Sequence, residues 1–193
     1  MISAFDSSHV RAVAELHLEN LTGLLRELGP GATYAFYHGA ARSNSAVGFV
    51  YIAENQVLGF IFGSTNPALL RREVLGHSFF RTLIGIASGI LRKPGNLRFL
   101  LSSLLPKEKQ YDTEIPELTY LAVGGRQRTS GIGRQLVEHF GQELKASGLT
   151  AYELSVDHDN RAAIGFYERL GFQDIGGYSE FGIEHRRYRL ELG

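Results

Sequence analysis

The chain has 193 residues, enough for one domain with a proper core or for one domain that carries an insertion. It contains no cysteine, which excludes disulfides, thiolate metal ligands and a cysteine nucleophile. Its 20 basic and 20 acidic residues cancel, so the net charge gives no reason to expect nucleic acid as a partner.

The N-terminal segment predicts a short strand followed by an amphipathic helix. It has neither a basic region nor a long apolar run, so no signal peptide is expected and a cytoplasmic protein is the default. Residues 2–5 can form the strand, and Ser7 or Ser8 can cap the helix. Apolar residues recur at helical spacing over 10–28, and the helix is expected to end near Gly29.

The next two segments predict different structures. Residues 31–45 mix aromatic and small side chains and form either a second, poorly marked helix or an ordered loop. Three of these side chains can line a pocket, although ordinary packing is favoured because their spacing demands no chemistry: Tyr34, Tyr37 and His38. Two β-rich runs at 47–53 and 57–64, separated by a polar turn, predict a hairpin.

The segment 68–112 is both basic and apolar. From Arg71 to Lys109, eight basic residues stand against two acidic ones. Apolar residues at helical spacing, interrupted by a proline–glycine pair, predict a helical insertion. The uncharged interval between Arg81 and Arg92 has ten residues, too few for a membrane span of about 20. Three alternatives stay open: packing on the core, a wall of a substrate pocket, or a surface that meets a partner or membrane.

The C-terminal part alternates strands and helices. The predicted elements are a buried strand at 118–123, a helix ending at Gly148, a strand at 151–156, a helix at 161–170 and strands at 172–177 and 183–190. The order strand, helix, strand, helix requires a parallel pair joined by a crossover, and the flanking strands are expected to be antiparallel. The prediction is therefore an α/β fold, an α+β mixed sheet with helices on both faces.

The loop after the strand at 118–123 has the chemistry of an anion site. N–H groups at a helix start lack intrahelical partners and lie at the positive end of the helix dipole, which suits a phosphate. Gly131 and Gly133 let an anion approach the main chain, and Ser130 is a candidate N-cap. The chain has no Walker A string, and the loop lacks the third glycine of a Rossmann fingerprint. The remaining pattern is RxxGxG, over residues 128–133.

A second pattern follows the next strand. It reads V…NxxAxxxYxxxGF and is formed by Val156, Asn160, Ala163, Tyr167, Gly171 and Phe172. Together the two patterns resemble those of the GNAT acyltransferase superfamily, whose signature is Q/R-x-x-G-x-G/A directly after an apolar strand. The resemblance is good over about residues 117–175. The hairpin and the first helix fit the family's N-terminal half, whereas 68–112 does not fit its minimal pattern.

The resemblance implies a single acyltransferase domain over 1–193, with 68–112 as a helical insertion. It also implies a GNAT-like sheet, with mostly antiparallel N-terminal strands and a central parallel pair splayed to admit coenzyme A. The implied ligand is acyl-coenzyme A, whose pantetheine arm would bind the strand edge at Leu121, Ala122 and Val123. Its pyrophosphate would bind Arg128, Thr129, Ser130, Gly131, Ile132, Gly133 and Arg134, and Asn160 would contact its arm.

The resemblance implies catalytic roles for Glu117 and Tyr167. An amine is mostly protonated at neutral pH, so acyl transfer needs a base, and Glu117 matches the position of the family's proton-accepting carboxylate. Glu114 is the alternative base. Tyr167 matches the usual proton donor to the departing thiolate, the structural alternative being an aromatic residue on the inner face of its helix. Asn160 can likewise be only a helix cap.

The implied function is an N-acyltransferase that moves acetyl from acetyl-CoA to an amine acceptor, a small molecule or a peptide. Direct attack in a ternary complex is expected, because the chain lacks the cysteine that an acyl-cysteine intermediate needs. The alternative is a non-catalytic acyl-CoA-binding or sensor domain of the same fold. The histidines form no HxxxH pattern, so no metal is expected. A homodimer is compatible with the family, and the basic segment 71–109 is predicted to border the acceptor pocket or to mediate association.

Overall fold

The computed structural model of the protein describes residues 1–74, 76, 115–127, 130–180 and 183–193, and all structural statements concern these residues. They form one seven-stranded sheet with helices on both faces, which confirms the predicted mixed α/β fold. The basic, apolar insertion lies outside them except for its first residues, so its helical structure and its role stay predictions.

The described elements are numbered in chain order. They are β1 (Ile2–Ala4), α1 (Val10–Asn20), α2 (Leu24–Leu28), α3 (Pro30–Ala40), β2 (Ala46–Ala53), β3 (Gln56–Ser64), the helical residues 67–74 called α4, β4 (Glu117–Val123), α5 (Ile132–Ala146), β5 (Ala151–Asp157), α6 (Arg161–Arg169), β6 (Gln173–Glu180) and β7 (Ile183–Glu191). A short 3-10 turn, Gly125–Gln127, follows β4.

The strands lie in the order β1-β2-β3-β4-β5-β7-β6. The neighbours β4 and β5 are parallel, and the other neighbouring strands are antiparallel, as the sequence predicts. The predicted hairpin is β2–β3, and its turn residues Glu54 and Asn55 have φ values of 50° and 59°. Positive φ at both central residues is typical of the type I′ turn, whose twist matches that of the flanking strands.

Strand β4 is paired very differently on its two sides. Toward β3 it is paired from Glu117 to Val123, with one irregularity where Thr119 has no partner of its own. Toward β5 only Glu117 and Leu118 are paired, with Glu153 and Leu154. The two parallel strands therefore diverge after their first two residues, as expected for a splayed central pair.

The sheet separates two apolar cores. One core lies beneath α5 and α6 and contains fully buried side chains such as Leu136 and Phe140. The other lies beneath α1, α3 and α4 and contains Val10 and Phe60. Full burial of such side chains contributes about 1.5–3 kcal/mol each, so both faces hold the sheet in place.

The single helix predicted over 10–28 is wrong. The chain forms α1 and α2 instead, with a break in which Leu21 is extended and Gly23 has a φ of 102°. A residue with positive φ cannot continue a right-handed helix, and glycine takes this conformation without steric cost. Hydrophobic periodicity continues across the break, which is why the sequence pattern does not mark it.

Two further predictions for the N-terminal half can be decided. The cap of α1 is His9, which makes no side-chain cap hydrogen bond, whereas the Ser8 hydroxyl donates to Asp6 Oδ1 over 2.5 Å. The prediction of a serine cap is therefore wrong. The segment 31–45 is largely the helix α3, and Tyr37 within it is fully buried in the core, which agrees with the favoured packing alternative.

Candidate active site

The loop after β4 presents an uncapped helix start. Gly131 is the N-cap residue of α5, with a φ of 80°, and no side-chain cap hydrogen bond is made at this helix start among the residues that the structure describes. The prediction of Ser130 as N-cap is wrong, because its hydroxyl donates to the Gln127 carbonyl oxygen over 2.6 Å. The first turn of α5 also lacks an acidic residue. Unsatisfied N–H groups and the positive end of the dipole therefore meet here, as an anion site requires.

The two glycines of the loop have different roles. A Cβ at Gly131 would meet only the Gln135 side-chain nitrogen among the described residues, at an ordinary contact distance of 4.0 Å, so the residue is needed for its left-handed backbone rather than for close packing. A Cβ at Gly133 would lie 3.5 Å from the ring of Phe166 and 3.7 Å from the side chain of Val123. Gly133 therefore lies where α5, α6 and the end of β4 meet, in the part of β4 that has no register partner on β5.

The predicted pantetheine-binding residues lie on the unpaired flank of β4. Leu121, Ala122 and Val123 pair with β3 but have no register partner on β5. Backbone groups on such a flank need another hydrogen-bonding partner, which an extended, amide-bearing ligand can supply. The structure thus brings this strand edge and the open start of α5 together at one end of the sheet.

Two other predicted cofactor residues are already engaged in local contacts. Arg134 donates from Nε to Glu138 Oε1 over 2.7 Å, an exposed pair one helical turn apart. Asn160 caps α6, because its Oδ1 accepts the Ala163 N–H over 3.1 Å. The cap that the sequence offers as an alternative is therefore present. Neither contact prevents a further one to a ligand.

Tyr167 lies in the core at the inner face of α6. It is 7% exposed, and its ring packs edge-on against Phe166 and Phe172, with centroids 5.1 and 5.4 Å away. Burial raises the pKa of Tyr167 above its ordinary value. The phenol is therefore protonated at neutral pH, which is the state that a proton donor needs.

Glu117 lies at the start of β4, where the strand is paired on both sides. Burial raises the pKa of Glu117, the nearby Arg187 opposes this, Glu153 adds to the increase, and Arg71 lowers it. A carboxylate with a raised pKa accepts a proton more readily than an exposed one, which suits a general base.

Sequence reasoning missed two polar groups of this region. Glu153 and Arg187 form a buried ion pair, with 2.5 Å between Glu153 Oε2 and Arg187 Nε. His17 is fully buried beside the ring of Tyr120, with centroids 4.7 Å apart, and burial with the charge of Arg26 lowers its pKa to about 4. The alternation of charged and apolar residues along β5 and β7 is the signal that could have indicated the Glu153–Arg187 ion pair.

Three predicted residues lie outside the part of the chain that the structure describes. They are Glu114, Arg128 and Thr129. Their roles stay predictions from the motif.

The family-level comparison agrees with this geometry. A family model for the acetyltransferase (GNAT) family matches residues 10–172. The chain belongs to this family. The GNAT family uses acetyl-CoA as co-substrate, and the uncapped α5 and the unpaired flank of β4 both fall inside the matched region.

Curated GNAT proteins match part of the chain. A mycothiol acetyltransferase of Gordonia bronchialis is 41% identical over 64 residues, 33% of this chain and 21% of that protein. The ribosomal protein bS18-alanine N-acetyltransferase of Escherichia coli (strain K12) is 41% identical over 54 residues, 28% of this chain and 36% of that protein. The matched part thus spans well under half the length of both relatives.

A solved GNAT structure shares the fold. The ribosomal-protein-S18-alanine N-acetyltransferase from Escherichia coli superposes with a TM-score of 0.63 at 16% identity, covering 100% of this chain and 94% of that chain. Among the described residues of the present protein, no cluster of acidic, histidine or cysteine side chains could hold a metal ion. Within the same residues, no helix is both long and apolar enough to cross a membrane.

Proposed function

We propose that the chain is an N-acetyltransferase that transfers acetyl from acetyl-CoA to an amine acceptor by direct attack in a ternary complex. The observation that carries this proposal is that the strand flank at Leu121–Val123, which has no register partner on β5, lies beside the start of α5, which has no side-chain cap among the described residues. An extended pantetheine arm complements the first, and a pyrophosphate complements the second. Arg128, Thr129 and Arg134 add donors or charge at the phosphates, and the amide of Asn160 contacts the arm.

In the proposed reaction, the amine attacks the thioester carbonyl carbon. The acceptor arrives as an ammonium, and Glu117, directly or through water, takes a proton from it beforehand, because only the neutral amine can attack; the nitrogen loses its second proton as the amide forms. The tetrahedral intermediate then collapses, the carbon–sulfur bond breaks, and Tyr167 gives its hydroxyl proton to the departing thiolate. The amide and free coenzyme A are the products. The amine class is supported by the relative whose name specifies an alanine N-acetyltransferase.

The first test combines binding with turnover. Acetyl-CoA is expected to bind the purified chain, and a panel of small amines and peptides with free N-termini is screened for release of free thiol. Binding without stimulation by any amine would favour the alternative, a non-catalytic acyl-CoA-binding or sensor domain. Failure to bind acetyl-CoA would contradict both functions.

The second test addresses Tyr167. Tyr167→Phe is expected to lower kcat by about 10²–10⁴-fold while acetyl-CoA binding is retained, because only the proton donor is lost. Tyr152→Phe is the matched control, since Tyr152 is fully buried in the same core and its hydroxyl has no hydrogen-bond partner among the described residues. Equal kcat values for the two variants would contradict the role of Tyr167.

The third test uses the pH dependence of kcat at saturating substrates. A base works deprotonated, so kcat is expected to fall as the pH drops through the pKa of Glu117. We call this fall on the acidic side of the pH profile the acid limb. Because the pKa of Glu117 is raised, the acid limb should lie at higher pH than for an ordinary glutamate. Glu117→Gln is expected to lower kcat and to abolish the limb. An unchanged limb in Glu117→Gln would assign the base to another group, such as Glu114.

A further inference from the structure

One face of β5 and β7 carries a buried charged cluster beside Glu117. Alternate residues of β5, among them Leu154, pack into the core beneath α5 and α6. Strand alternation directs Glu153 to the opposite face, where its Oε2 accepts a hydrogen bond from Arg187 Nε over 2.5 Å. Arg187 also donates to Ser155 over 3.4 Å, and Arg189 lies 3.6 Å from Glu153 Oε1.

Stability alone is a poor explanation for this pair. Glu153 is 4% exposed and Arg187 is 7% exposed, so both charges have lost most of their hydration. The desolvation of two such charges commonly offsets their attraction, and apolar replacements of buried pairs are often neutral or stabilising. A role in the neighbouring site is the better explanation for two charges at this position.

The register connects the pair to Glu117. Glu117 and Glu153 are direct partners across the parallel strands β4 and β5, at the point where these strands begin to diverge. Like charges placed side by side on adjacent strands repel each other. Arg187, on the far side of β5, is bound to one of the two carboxylates and is close enough to influence the other.

We propose that Glu153 and Arg187 are positioning residues that fix the orientation and the charge balance of Glu117. The proposal rests on the assignment of Glu117 as the base in the proposed function. Arg187 binds Glu153 and holds its carboxylate away from that of Glu117. It also compensates the second negative charge, so that Glu117 can cycle between its protonated and deprotonated states beside another carboxylate.

The charges that face Glu117 from the surrounding elements support this arrangement. They are Arg71 on α4, Glu153 on β5 and Arg187 on β7, and the neutral phenol of Tyr120 on its own strand is the further titratable group, whose pKa Glu117 helps to raise. After burial itself, Arg187 has the largest influence on the pKa of Glu117 and lowers it, whereas Glu153 raises it. Loss of one member of the pair therefore has the opposite effect on Glu117 from loss of the other.

The test compares single and double variants in the pH profile of kcat. Arg187→Gln is expected to move the acid limb to higher pH, so that activity on the limb, relative to its plateau, falls about tenfold. Glu153→Gln removes a negative charge and frees Arg187, so the limb is expected to move to lower pH. The double variant loses both charges and is expected to return the limb close to its wild-type position.

Two controls separate positioning from a merely structural role. Arg186→Gln removes a positive charge from the same strand, at a residue that pairs with Asp174 rather than with Glu153, and is expected to leave the limb in place. Arg187→Lys keeps the charge and is expected to restore the limb relative to Arg187→Gln. If Arg187→Gln does not fold, the double variant, which removes both charges of the Glu153–Arg187 pair, and Arg187→Lys still decide the comparison with Glu153→Gln.

The outcomes separate this inference from the proposed function. Opposite limb shifts in the two single variants support it. If Glu117→Gln abolishes the limb but neither single variant moves it, or both move it in one direction, the positioning role is overturned and the acetyltransferase function stands. A limb that persists in Glu117→Gln overturns the base assignment, and the positioning role with it.

Discussion

The two flanks of β4 are built from one backbone and behave in opposite ways. Toward β3, six register pairs connect the strands from Glu117 to Val123, whereas toward β5 there are only two. On the paired flank, the backbone hydrogen-bonding groups bind β3 and stabilise the fold. On the unpaired flank, the backbone N–H and C=O groups can bind water or a ligand, because such groups need some hydrogen-bonding partner. The difference shows how one strand can contribute both to stability and to binding.

A substitution at Gly63 tests the paired flank of β4 and should give the largest loss of stability among the variants compared below. A Cβ at this position would overlap the Glu117 carbonyl oxygen and lie 2.7 Å from the ring of Phe140. Because both neighbours are buried parts of the sheet and core, Gly63→Ala is expected to lower the free energy of unfolding by about 3 kcal/mol. Urea denaturation followed by circular dichroism measures it. Gly76→Ala is the control, since a Cβ there meets no described residue within 4 Å. Equal losses of stability in the two variants would contradict the close approach of Gly63 to β4.

Much of the fold could be predicted from the sequence, because hydrophobic period and turn residues are local signals. The strands β4 and β5 and the helices α5 and α6 are predicted within a few residues. The irregularity at Thr119 and the close contact at Gly63 could not be predicted, since both depend on the register between β3 and β4. Two neighbouring strands must be placed before either feature can be seen.

Ser130 tests the unpaired flank through the loop that follows it. Ser130→Asp places a carboxylate at the uncapped start of α5, where it should stabilise the ligand-free protein by up to about 1 kcal/mol. The same carboxylate repels the pyrophosphate, so acetyl-CoA affinity, measured by calorimetry, is expected to fall about tenfold. Ser130→Asn is the neutral control. Unchanged affinity in Ser130→Asp would mean that the anion does not bind at this helix start.

The site could be predicted where it is a local motif and not where it is assembled across strands. Gly131 and Gly133 are found from their spacing, because the loop geometry is encoded in consecutive residues. The pair Glu153–Arg187 joins residues 34 positions apart, and its link to Glu117 crosses three strands. Sequence alternation indicates that such charges share a face, but only the strand order shows which of them meet.

Asn160 tests the second helix start at this end of the sheet and should give the smallest effect. In contrast to α5, α6 is capped, so Asn160→Ala is expected to lower the free energy of unfolding by about 1 kcal/mol. Asn160→Asp keeps the acceptor oxygen and should retain wild-type stability. It loses the amide N–H groups, however, so acetyl-CoA affinity should fall several-fold if the side chain also contacts the pantetheine arm. Wild-type affinity for acetyl-CoA in Asn160→Asp would mean that Asn160 is only a helix cap. The two helix starts would then have separate roles: the cap of α6 stabilises its own helix, whereas the start of α5 is left open for the ligand.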